Sequence, residues 1–66
     1  MIRLWLKVAR VKANLLGKDV AQAAGISQGE YSSIETGKRN PSVKTAKAIA
    51  EVLGFNWQRF FEEGGK

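Results

Sequence analysis

Apolar side chains recur along this chain in steps of three and four, broken at short intervals by Asn14, Gly25, Pro41 and Gly54. That alternation of helical stripe and breaker predicts a series of short helices. Ile2, Trp5, Leu6, Ala9 and Ala13 form one stripe of a first helix over residues 2–13, while Leu4, Val8 and Val11 form a second on nearly the opposite side. A helix apolar on two sides needs two partners. Asn14, which tolerates positive φ, is a natural stop after it. Leu15 and Leu16 lead into a second helix whose capping position, held by Leu16, lacks a hydroxyl; Asp19 in the first turn compensates through the helix dipole.

Val20, Ala21 and Ala24 give the second helix its inward face. Gly25 supplies a left-handed end and Ile26 the hydrophobic contact that follows it. A third helix starts almost at once: Ser27 can cap its first turn, and Glu30, three residues on, can reach back to the Ser27 amide to complete a capping box. Tyr31 and Ile34 point inward, leaving Gln28, Gly29, Ser32 and Ser33 as a short, uncharged outer face. Two helices joined this tightly cross steeply, which needs a small residue at the approach and a positive-φ residue in the turn; Ala21 and Gly25 satisfy both demands. Residues 17–36 therefore read as a helix-turn-helix, with a recognition helix over about residues 28–36.

Beyond Gly37, residues 38–42 form a loop, and Ser42 caps a fourth helix lined inwardly by Val43, Ala46, Ile49, Ala50 and Leu53. Gly54 closes it, and Asn56 can cap a final short helix. Trp57, Phe60 and Phe61 are expected on one side of that helix, in the core, covering the surplus stripe of the first. The domain is expected to occupy residues 1–61, with 62–66 as a flexible tail.

Sixty-six residues allow one domain with a thin core. The sequence has no cysteine and no histidine, which removes disulfides, thiolate metal sites and the usual general base. Ser27, Ser32 and Ser33 have nothing to activate them, and Gly17-Lys18 lacks the glycine-rich loop of a phosphate-binding motif, so catalysis is not expected. Neither is a metal, a cofactor or a small-molecule ligand. No apolar run is long enough to span a membrane or make a convincing signal peptide, and a cytoplasmic location is the expectation. Eleven Lys and Arg against six Asp and Glu leave a net charge of +5, which favours an acidic partner. The cations cluster: Arg3, Lys7, Arg10, Lys12 and Lys18 precede the helix-turn-helix or open it, and Lys38, Arg39, Lys44 and Lys47 follow it. A nearly neutral reading surface flanked by cations is how DNA binders divide specification from positioning.

Arg10, Leu15, Val20-Ala21, Gly25-Ile26-Ser27, Ser32, Ile34-Glu35, Gly37-Lys38-Arg39-Asn40-Pro41-Ser42 and Leu53-Gly54 together resemble the phage-repressor and Cro-type family, also called the xenobiotic-response-element family of transcriptional regulators. The resemblance covers residues 2 to about 61. It implies an all-α, compact five-helix bundle of the lambda-repressor-like type, binding double-stranded DNA as a homodimer on a pseudo-palindromic operator, with repression the expected outcome. It also implies base reading by Gln28, Gly29 and Ser33, with Glu30 a further candidate. Phosphate contacts are implied for Lys18, Lys38, Arg39 and Asn40, with Ser42 and Lys44 added at the free amides of the fourth helix. Arg10 and Glu35 are implied to pair, and the carboxy-terminal helix to form the dimer seam, with Phe61 at its edge. Three positions depart from the family pattern: Gly17 replaces a glutamine, Leu16 a hydroxyl cap, and Tyr31 an aliphatic whose hydroxyl now needs a partner. A competing function is a protein-interaction module, such as an antitoxin or adaptor, on the same fold. A membrane-surface role for the basic first helix is disfavoured because its apolar stripe is needed for the core.

Overall fold

Left-handed residues and side-chain caps set the helix boundaries. The computed structural model describes residues 2–62, which form α1 (Leu4–Lys12), α2 (Gly17–Ala24), α3 (Gln28–Glu35), α4 (Val43–Leu53) and α5 (Arg59–Glu62), with no strand among them. Asn14 takes φ 60° one residue beyond the Ala13 cap of α1, while Gly25 takes φ 76° directly after α2 and Gly54 φ 79° directly after α4. Behind Gly25 the Ile26 amide donates back to the Ala21 carbonyl at 3.0 Å, and behind Gly54 the Phe55 amide reaches Ala50 at 3.1 Å. These bonds satisfy carbonyls that a helix end would otherwise leave open.

At the amino ends, Ser27 Oγ accepts from the Glu30 amide at 3.0 Å and Ser42 Oγ from the Thr45 amide at 3.2 Å. The capping box expected at α3 is only half made: no bond joins the Glu30 carboxylate to the Ser27 amide. At α2 the reverse half is present. Leu16 has no side-chain acceptor, but the Asp19 carboxylate takes the Leu16 amide at 2.9 Å, a directed bond where only a dipole interaction was expected. Asn56 Oδ1 accepts from the Gln58 amide at 2.9 Å and turns the chain into α5.

Leu6, Val20, Ala21, Tyr31, Ile34, Ala46, Ile49 and Phe60 form the core. α2 packs on both α3 and α4, and α1 packs on α3. The buried Ala21 lets the helices of the motif cross closely. Trp5 meets Phe55 and Phe60 edge-on, each at 5.1 Å between ring centroids.

Three expectations about the core are corrected. The aromatics of the carboxy-terminal segment do not all go inside: Phe60 is buried and Trp57 half-buried, but Phe61 is exposed, with its ring against Trp57 at 5.9 Å. α5 is a single turn that starts only after Trp57, and Phe60 and Phe61 are adjacent on it, about 100° apart, so the three aromatics do not turn the same way. These rings cover the Trp5 side of α1 and not its second stripe, so Leu4, Val8 and Val11 stay 62%, 41% and 56% exposed. Val43 sits in the open first turn of α4 and is likewise exposed. Of the expected tail, Glu62 belongs to α5 and residues 63–66 lie outside the described residues.

Candidate nucleic-acid interface

Tyr31 and Ile34 anchor α3 in the core, so the opposite side of a helix only eight residues long must face out. Gln28, Gly29 and Ser32 are exposed there, and Ser33 is half-exposed at the edge. Thr36, which follows at the same spacing from Gly29 and Ser32, extends this face by one residue; the sequence reading omitted it. Its hydroxyl donates to the Ser32 carbonyl at 2.9 Å. Glu30 is half-buried at the margin, its carboxylate uncommitted to the cap.

The loop after α3 folds back over its last turn. Gly37 takes φ 84°, and the amides of Lys38 and Arg39 both donate to the Ser33 carbonyl, at 2.9 and 3.2 Å. Lys38, Arg39 and Asn40 thereby emerge exposed beside the carboxyl end of α3, followed by a buried Pro41 and the exposed amino end of α4 with Ser42 and Lys44. Lys18 is exposed in the first turn of α2. The Ser42 hydroxyl is occupied, accepting from the Thr45 amide and donating to Thr45 Oγ1 at 3.2 Å.

Two of the amino-terminal cations have internal work, so the basic block at that end is smaller than its residue count suggests. Arg3 is 5% exposed. Its guanidinium donates to the Ile34 carbonyl, to the Arg39 carbonyl at 3.2 Å and to Asn40 Oδ1 at 2.6 Å, while its amide donates to the Glu35 carbonyl at 2.8 Å. One side chain thus holds both the end of α3 and the loop that presents the cations, and fixes Asn40 with its amide nitrogen left to donate elsewhere. The sequence reading counted Arg3 only as charge. A signal was there, since Arg3, Leu6 and Arg10 share one face of α1 across two turns.

Arg10 is the second case. Its Nε lies 2.9 Å from Glu35 Oε1 and its Nη2 3.3 Å from Oε2, a two-point pairing that also sends Nη1 to the Leu15 carbonyl at 3.0 Å. The Tyr31 hydroxyl finds its partner here too, donating to Glu35 Oε1 at 2.8 Å. Burial alone would raise the Glu35 pKa, but the hydrogen bonds from Arg10 and Tyr31 and the charges of Arg10 and Lys7 outweigh it, and the carboxyl is held below its usual range. The hydrogen bond to Glu35 raises the Arg10 pKa, and burial together with Glu35 raises that of Tyr31. The triad is therefore fixed as cation, anion and neutral phenol. Gly17, the departure at the start of α2, lies against the Tyr31 ring, and a Cβ there would touch it at 3.5 Å.

A short uncharged helix face, a close two-helix crossing and a cationic loop braced from α1 define a helix-turn-helix domain. The helix-turn-helix family profile matches residues 6–60, and the chain belongs to that family, in its Cro and xenobiotic-response-element branch. An uncharacterised HTH-type transcriptional regulator of Bacillus subtilis, YqaF, is 46% identical over 63 residues, covering 96% of this chain and 83% of the relative. An uncharacterised HTH-type transcriptional regulator of Methanocaldococcus jannaschii is 38% identical over 56 residues, 85% of each chain. The chain also matches, at 35% identity, 5% of an uncharacterised WD repeat-containing protein of Nostoc sp.. No solved structure matches significantly. No helix among the described residues is long and apolar enough to cross a membrane.

Gly29 yields a direct test of this face. A Cβ added there meets nothing within 4 Å, so the fold does not require glycine, and Gly29→Ala is expected to stabilise the domain by about 0.5–1 kcal/mol. If duplex DNA approaches this surface closely, the same change weakens its binding. Thermal melting and a DNA titration of one variant then move in opposite directions; a variant both more stable and equally tight places the contact elsewhere.

Proposed function

We propose that this protein is a transcriptional regulator that lays α3 in the major groove of double-stranded DNA. The observation that carries the reading is the pairing of an outward, uncharged α3 face with exposed Lys38 and Arg39 on a braced loop beside it. Gln28 is the strongest base reader, since an amide side chain matches adenine N6 and N7. Gly29 admits close approach, Ser33 offers a hydroxyl at the edge of the face and Glu30 an acceptor for a cytosine amine. Lys18, Lys38, Arg39 and Lys44 meet phosphates, joined by the free amide nitrogen of Asn40. Ser42 contributes through the amino end of α4, because its hydroxyl is already bonded. The names of the Bacillus and Methanocaldococcus relatives agree with a regulatory role.

One α3 spans too few base pairs for useful selectivity, and two half-sites about 34 Å apart suit a two-fold dimer. Exposed Val43 and Phe61, with Trp57, Gln58 and Glu62, line an open groove at the carboxy-terminal end, and this patch is the dimer seam. Repression follows by occlusion when the operator overlaps a promoter. Selection of bound sequences from random duplex DNA tests the whole reading: a symmetric enriched motif is expected, and no enrichment would leave the interaction-module reading in its place. Phe61→Glu is expected to weaken binding to the full palindrome while leaving the half-site affinity unchanged, measured by titration of both duplexes.

A further inference from the structure

The outer face of α1 is left unused by the fold and by the DNA-binding reading. Leu4, Val8 and Val11, spaced four and three residues apart, form a continuous aliphatic ridge on the side of α1 opposite Leu6 and Arg10. Beside it runs an open groove of about 480 Å³ lined by Leu4, Trp5, Val8, Ala9, Lys12 and Arg59. Lys7 and Lys12 flank the ridge on its two sides, the Arg59 guanidinium stacks on Trp5 at 4.6 Å from the ring centroid, and α1 contains no acidic residue. Trp5, which lines this groove, has its indole Nε1 buried with no hydrogen-bond partner.

We propose that this face docks an acidic amphipathic helix from a different protein. The ridge and groove take two or three aliphatic side chains of such a helix at helical spacing, and Lys7, Lys12 and Arg59 pair with carboxylates along its margins. Charge selects the occupant. A second copy of the chain would set these cations against their own duplicates with no acid between them, and a ridge of three aliphatic residues falls far short of the roughly 800 Å² per partner that a stable dimer buries. DNA is an equally poor fit, since its phosphates would desolvate the ridge without replacing its contacts. α1 meets α3 through the opposite face, so a helix docked here leaves α3 open.

The proposal stands independently of what α3 binds. Its test uses the full chain labelled with ¹⁵N and a synthetic helical peptide carrying leucines at helical spacing flanked by glutamates, with a lysine-flanked peptide as control. Expected are amide shifts at Leu4, Val8, Val11 and Lys12 together with the Trp5 indole, and binding of the lysine peptide weaker by about tenfold or more. Val8→Asp and Val11→Asp, both at exposed positions, each abolish the shifts while thermal melting is retained. Equal binding of both peptides, shifts centred instead on Trp57 and Phe61, or the same α1 shifts produced by raising protein concentration alone would overturn the proposal. So would binding to phosphatidylglycerol vesicles through Val8 and Val11 with no response to the acidic peptide.

Discussion

Glu35→Gln is expected to remove about 3 kcal/mol of stability, because it strands the Arg10 guanidinium in a site where both side chains are only 13–14% exposed. The glutamine oxygen can serve Arg10 or Tyr31, but it cannot balance the charge. At about 4–8 °C per kcal/mol for a domain of this size, the melting temperature falls by roughly 12–24 °C. Glu62→Gln, at an exposed end of α5, is the control and should stay within about 0.5 kcal/mol of wild type. Equal shifts in the two variants would show that Glu35 is not structurally engaged. The pH dependence has a definite sign. The Glu35 carboxyl is lowered in the fold from its ordinary value of 4.5, so its contribution is fully present above that value and disappears as pH falls through the lower folded one. The gap in stability between wild type and Glu35→Gln should accordingly narrow on acidification below about pH 4.5.

The second large effect separates positioning from reading. Arg39→Ala is expected to weaken binding to operator and random duplexes alike and to reduce the slope of log affinity against log salt by about one unit, the signature of one lost phosphate contact. Lys38→Ala should behave in the same way. Gln28→Ala should instead cost about 1–3 kcal/mol on the preferred site, little on random DNA, and leave the salt slope nearly unchanged. Titrations at several salt concentrations on cognate and scrambled duplexes read both quantities. If Gln28→Ala weakens both duplexes equally, Gln28 meets the backbone, and the reading face is displaced by about a helical turn.

Local chemistry was readable wherever a single residue type has few alternatives. Asn14, Gly25 and Gly54 take the left-handed backbone, and Ser27 and Ser42 accept the bonds their positions suggest, because these choices are made within four residues. Side-chain burial depends on distant partners and was less accessible. Periodicity shows that α1 has two apolar stripes but not that only one is covered, which turns on how α5 lies. The length of α5 decided the exposure of Phe61 in the same way. In the candidate interface, the outer α3 residues follow from helical spacing once Tyr31 and Ile34 are fixed inside. Arg3 is only half legible: its place on the Leu6 and Arg10 face of α1 points inward, but nothing near it in sequence names acceptors that lie 31 to 37 residues away along the chain.

That span gives Arg3 a role in the order of events during opening and closing. The loop that carries Lys38 and Arg39 has its own bonds to Ser33, but its docking onto the body of the domain runs through the first turn of α1. Fraying of α1 is therefore expected to loosen the loop with it, and amide hydrogen exchange of the two segments should then be correlated although they lie on either side of the helix-turn-helix. During synthesis the contact is non-local: Arg3 is made 31 to 37 residues before its acceptors, so the clasp closes only once residues 34 to 40 are available to it.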